Sequence, residues 1–144
     1  HLRFEKRGLL HCALEVPGLR QPLHCVCAHL SLFARSRRWQ MAALAARIEE
    51  RVPADAPLLI AGDFNDWRNH ADKLLAERLG LSEVFTGLEQ RPPRSFPAAL
   101  PMFRLDRIYQ RGLRFDAGRV HAGPPWSGIS DHAALSAEFR LAVS

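Results

Sequence analysis

The strongest constraint on the fold lies between residues 23 and 61. Leu23 to Leu30 reads as a strand with apolar residues on both sides, and Leu58 to Ala61 as a short buried one. Between them Met41, Leu44, Ala45, Ile48 and Val52 fall on one stripe of a helix, with Ser36 as its N-cap and Pro53 to Pro57 as its stop. Two strands joined by a helical crossover lie parallel in one sheet, so their carboxyl ends share an edge. Ligand sites in such sheets gather beyond that edge. The second strand runs straight into Gly62-Asp63-Phe64-Asn65.

The remaining elements hang on this step. Leu9 to Val16 alternates as a half-buried strand and turns at Pro17-Gly18, giving the pair an antiparallel neighbour. A second helix is expected over residues 70–79, closed by Gly80. Residues 86–104 carry Pro92, Pro93, Pro97 and Pro101 and read as loop. Strands follow at 106–110 and, shorter, at 119–122. In the last strand Ala133, Leu135, Ala137, Phe139 and Leu141 share one face. The reading is an α+β chain in a single domain, residues 1–144.

Composition narrows the function classes. With 47% hydrophobic and 24% charged residues, wholesale disorder is excluded. No apolar run approaches the roughly 20 residues of a transmembrane helix. The net charge of +5 favours anionic partners, although its Arg residues are dispersed along the chain. Three Cys and no secretory signal point to a reducing, cytoplasmic setting. Cys25, Cys27 and His29 share a strand face, but that spacing fans side chains apart instead of wrapping zinc, so the cysteines are expected to be small core residues. The first residue is not Met, so the chain is expected to be a portion of something longer.

Three motifs bear acids at strand edges. Asp63 and Asn65, two apart, share a direction in extended chain, where a carboxylate beside a carboxamide orients water or offers oxygens to a hard cation. Alternatively, Asp63 caps a turn and Asn65 closes an Asx-turn. Asp131-His132 pairs a carboxylate with an imidazole at the start of the last strand; singly, such residues are a turn cap and an exposed His. Asp106 either fixes the tautomer of His132 or pairs with Arg107 at the surface. His29, at the end of its strand, reads as a satisfied buried His when taken alone.

Taken in order and at these separations, His29-Leu30, Gly62-Asp63-Phe64-Asn65, Leu105-Asp106-Arg107-Ile108 and Ser130-Asp131-His132 resemble the endonuclease/exonuclease/phosphatase superfamily. The stretch from Ser95-Phe96-Pro97 to Tyr109 looks like a bacterial subgroup of it. The resemblance implies a deoxyribonuclease I-like β-sandwich with flanking helices, of which this chain is about the C-terminal half. It implies a metal-dependent phosphoester hydrolase, most readily a phosphodiesterase. Asp63 would deprotonate the attacking water and Asn65 stabilise the transition state. His132 would contact the scissile phosphate with Asp106 as partner, and His29 would bond a phosphate oxygen. Asp131 would belong to a site for Mg2+ or Mn2+. Members are about twice this length and carry an Asn and a metal-binding Glu in their first half, a role that neither Glu5 nor Glu15 fits. Substrate partners are nucleic acid, phospholipid or a small phosphoester, and the exposed inner sheet face invites self-association. Two alternatives stay open: a phospholipid-directed phosphodiesterase, and a catalytically silent binding module. Trp67, Phe103 and Trp126 either pack the motif-bearing loops or stack on substrate.

Overall fold

The computed structural model of the chain describes residues 7–142; Glu5 lies outside them. Its centre is the expected crossover. Strand β2 (Leu23–His29) leads through helix α1 (Ala34–Arg51) to strand β3 (Leu58–Asp63), and β2 and β3 pair in parallel. Strand β1 (Gly8–Leu14) pairs antiparallel with β2. On the other side β5 (Asp106–Arg111) pairs antiparallel with β3, and a two-residue strand β4 (Ser82–Glu83) pairs with β5. The five-stranded order is β1-β2-β3-β5-β4.

One face of this sheet carries the main core. Met41, Leu44, Ala45, Ile48 and Val52 are buried against Val26, Ala28, Leu58 and Ile60, as the helical stripe requires. Helix α2 (His70–Leu79) adds Ala71, Leu75 and Leu79, and Gly80 ends it at φ 65°. The opposite face is partly covered by a two-stranded ribbon, β6 (Leu113–His121) with β7 (Ala134–Leu141). Phe115, Leu135, Ala137 and Phe139 pack there on Val84, Phe85 and Ile108.

Several expectations are corrected. Strand β1 is exposed along its whole length, not half-buried, and contributes nothing to the core, because it is an edge strand lying outside the reach of α1 and α2. Cys12 and Cys27 are exposed and Cys25 half-buried, so they are not core residues; they face away from α1. The N-cap of α1 is Phe33, not Ser36, and no side chain caps it. A short helix α3 (Thr86–Glu89) opens the expected 86–104 loop, and strand β4, just before it, was not expected. Strand β6 is longer than the expected 119–122 segment. An irregularity between Phe115 and Ala117 shifts its pairing and hides the two-residue period.

Candidate active site

The site is assembled by strand register. His29 is opposite Asp63 across β2–β3, and Asp63 is opposite Asp106 across β3–β5. Three elements distant in sequence therefore set their functional residues in one row at one end of the sheet. Gly62 makes the row possible. Its φ is 144°, and a Cβ built there would stand 1.9 Å from the Ala28 carbonyl oxygen.

Beyond the row the chain turns sharply. Asn65 adopts a left-handed conformation, φ 46°, and its N–H donates to Asp63 Oδ1 at 2.9 Å. The Asx-turn is thus present, yet the two side chains still converge. Asn65 Nδ2 donates to the Leu30 carbonyl at 2.8 Å and lies 3.4 Å from Asp63 Oδ2. Asp66 Oδ2 accepts from the Ala71 N–H at 2.7 Å, starting α2 just past the motif.

His132 stands over this row. Its Nδ1 lies 2.7 Å from Asp106 Oδ2, and its Nε2 lies 4.0 Å from Asp63 Oδ2. Asp106 is an acceptor, so Nδ1 carries a proton whatever the charge of the ring. Ser95, fully buried and not anticipated as a site residue, donates Oγ–H to the same Asp106 oxygen at 2.5 Å. The Ser95 carbonyl accepts from the Ala133 N–H at 2.6 Å, and the Asp131 carbonyl accepts from Ala98 at 2.7 Å. The proline-rich loop is thereby stitched to the His132 segment. Its only sequence signal was a Ser shortly before the Asp106 motif.

Arg107 is not a surface partner of Asp106. It is buried, and its guanidinium donates to the carbonyls of Arg104 at 2.5 Å, Asp106 at 3.2 Å and Asp66 at 3.3 Å. It ties the loop after β3 to the segment before β5. His29 is exposed, with Nε2 3.7 Å from Asp63 Oδ2, so the reading of a buried His fails. Arg7 NH1 lies 2.7 Å from the same Nε2 and donates to the Leu30 carbonyl at 2.8 Å, adding a cation that the motifs did not mark.

The local field separates the two titrating groups. Burial pushes the Asp63 carboxyl above its usual range; the Asn65 N–H opposes this, Asp106 adds to it, and His132 and His29 pull it down. For His132, burial alone would lower the pKa. The hydrogen bond and charge of Asp106, with the charges of Asp63 and Asp131, outweigh it and raise the pKa above 6.5. The result is a carboxylate with enhanced basicity beside an imidazole whose protonated form is favoured and whose orientation is fixed. Asp63, Asn65, Asp106, Asp131, His132, His29 and Arg7 all line one cavity of about 590 Å³.

A divalent metal is the cofactor the resemblance implies. Asp131 is exposed at the cavity and its carboxylate makes no hydrogen bond among the described residues. No group of three or more His, Cys, Asp or Glu among the described residues composes a metal centre. The set offers part of a hard-cation shell and not a whole one. Trp67 packs on Phe103 with ring centroids 4.9 Å apart, and Trp126 packs on His121 at 4.8 Å, as loop packing requires. Even so, Trp67 and Phe103 stay 51% and 41% exposed beside the cavity. No described helix is long and apolar enough to cross a membrane.

The model of the Endonuclease/Exonuclease/phosphatase family matches residues 3–132. Uncharacterized protein YbhP of Escherichia coli is 43% identical over 137 residues, 95% of this chain and 54% of that protein. The chain thus spans about half the length of the curated relatives it matches. Among solved structures, the human Nocturnin catalytic domain with bound sulfate superposes with a TM-score of 0.77 at 21% identity, covering 94% of this chain and 53% of that one. D. rerio TDP2 with a single-strand DNA product gives 0.70 at 22%, covering 93% and 62%. At these identities the structural matches establish the fold, a deoxyribonuclease I-like α+β architecture.

Proposed function

The chain belongs to the endonuclease/exonuclease/phosphatase family, and we propose that its site hydrolyses phosphodiesters with a water that Asp63 deprotonates. One observation carries the proposal. Asp63 and His132 Nε2 face each other across 4.0 Å at the cavity, while Asp106 holds Nδ1 from behind. In that arrangement the two groups act on opposite partners. Asp63 takes a proton from the water whose oxygen bonds to phosphorus as the ester P–O bond breaks. His132, as the imidazolium, donates from Nε2 to a phosphate oxygen and offsets the charge that develops there. Asn65, fixed by the Leu30 carbonyl and the Asp63 turn, positions that phosphate, and His29 and Arg7 supply donors at the cavity rim.

The cofactor of this reading is Mg2+ or Mn2+, with Asp131 as one carboxylate ligand and the others from the part of the relatives' length that this chain does not match. When bound, the ion would neutralise charge on the phosphate and leaving group. Nucleic acid is the substrate class we favour, on the net charge of +5 and the half-exposed Trp67 and Phe103 beside the cavity. The same two rings, with Leu32 54% exposed at the cavity, favour a phospholipid as the second reading.

The test is hydrolysis of bis(p-nitrophenyl) phosphate, with Mg2+, Mn2+ or chelator, by the chain extended to the relatives' length, beside its Asp63→Ala variant. Metal-dependent turnover that Asp63→Ala lowers by a thousandfold or so supports the proposal. Turnover unchanged by that substitution, or none on any phosphoester, defeats it. Oligonucleotides against phospholipid vesicles then separate the two substrate classes.

A further inference from the structure

A second cavity opens on the helix side of the same loop. It measures about 580 Å³, and Trp67 is the residue it shares with the catalytic cavity. Along Phe64–Trp67 the chain alternates, with Asn65 lining the catalytic cavity and Phe64 and Asp66 lining this one. Its floor is apolar, with Met41, Phe64 and Ala71 buried. Its rim is cationic, formed by Arg37, Arg38, Arg68 and His70.

Two facts give this rim its meaning. Arg38 of α1 and Arg68 of the loop before α2 have no ion-pair partner among the described residues, whereas Arg47 and Arg51 of α1 and Arg78 of α2 each face a Glu. The 18-residue helix α1 opens at the cavity with Ala34, without a side-chain cap or an acidic residue in its first turn. Against them stands one buried carboxylate in the wall, Asp66, whose Oδ2 accepts from the Ala71 N–H and whose Oδ1 is unpaired. Guanidiniums over an apolar floor match a phosphate attached to a sugar or other ring.

Resting on the hydrolase reading above, we propose that this cavity takes a second phosphate of the substrate, covalently joined to the one being cut, with Trp67 as the wall between the two. The preferred substrate then carries at least two phosphates. Arg38 and Arg68 hold the distal one and add to binding without touching the reacting atoms.

The experiment compares thymidine 5′-(p-nitrophenyl phosphate) with its 3′-phosphorylated counterpart on the full chain and on the double variant Arg38→Gln/Arg68→Gln. Affinities of the same pair are measured by calorimetry in an Asp63→Asn background, and inositol 1-phosphate against inositol 1,4-bisphosphate forms a second arm. The extra phosphate is expected to lower KM and Kd roughly tenfold in one arm, an increment that the double variant abolishes while single-phosphate values stay put. Whichever arm shows it identifies the ring. No increment in either arm, or one that survives the double variant, overturns the proposal. An arginine-dependent binding increment without any turnover would locate the failure in the hydrolase reading instead.

Discussion

Replacing Asp106 by Asn tests the chemistry most sharply, because it removes one charge at nearly constant shape. The Oδ2 of Asp106 accepts both from His132 Nδ1 at 2.7 Å and from Ser95 Oγ at 2.5 Å, and a carboxamide oxygen can occupy that place. A hydrogen bond between imidazolium and carboxylate contributes about 2 kcal/mol, against about 1 for a neutral acceptor. The His132 and Asp106 side chains are only 25% and 17% exposed, so solvent screens little of the difference. That difference of about 1 kcal/mol lowers the His132 pKa by about 0.7 of a pH unit. Asp106 also raises the pKa of Asp63 by repulsion, so both limbs of the pH–rate profile should move toward acid in Asp106→Asn. At pH above both His132 midpoints, kcat should fall by up to about fivefold from loss of imidazolium alone. Stability should follow the same sign. The His132 pKa is raised on folding, so its contribution is complete below about 6.5 and vanishes as pH climbs through the folded value. The variant should therefore be about 1 kcal/mol less stable than the parent at pH 5.5 and nearer to it at pH 9. NMR titration of the His132 Cε1–H, the pH–rate profile and urea melts at both pH values measure this. An unchanged His132 midpoint would refute the assignment of Asp106 as its charged partner.

Asp63→Asn should abolish turnover yet leave the fold as stable as the parent or about 1 kcal/mol more stable at pH 8, because burial opposes the ionised form that the parent carries there; a clear loss in a urea melt would contradict this. Gly62→Ala should cost about 3 kcal/mol or more, since the new Cβ meets the Ala28 carbonyl in a backbone conformation few other residues adopt; chemical denaturation is the readout. Arg107→Met should cost about 2 kcal/mol by freeing the carbonyls of Arg104, Asp106 and Asp66, and should speed amide exchange in the loops flanking β3 and β5. Unaltered exchange there would show that the guanidinium does not tether them.

How much was legible follows from what each signal depends on. The β2–α1–β3 step could be read because hydrophobic periodicity is local: Met41, Leu44, Ala45 and Ile48 need only a 3.6-residue repeat to face one way. Gly80 as a helix stop is local in the same sense. His29, Asp63, Asn65, Asp106, Asp131 and His132 were also legible as candidates, through the four ordered motifs, and the structure brings them to one cavity; Arg7 beside them was not. Strand β6 escaped because its pairing irregularity breaks the alternation on which strand recognition relies. Strand β4 escaped because two residues hold no period at all.

The sequence by itself determined the crossover, the helical stripe and the identity of the acids, all properties of neighbours along the chain. Only the tertiary structure decided that His29, Asp63 and Asp106 stand in one row, since register across β2–β3–β5 is set by pairing and not by any local pattern. It also decided that Ser95 and His132 share one oxygen of Asp106, that Arg107 is buried among carbonyls, and that β1 and its cysteine stay exposed. Burial and partnership are relations between segments far apart in sequence, and they exist only once the sheet has aligned its strands.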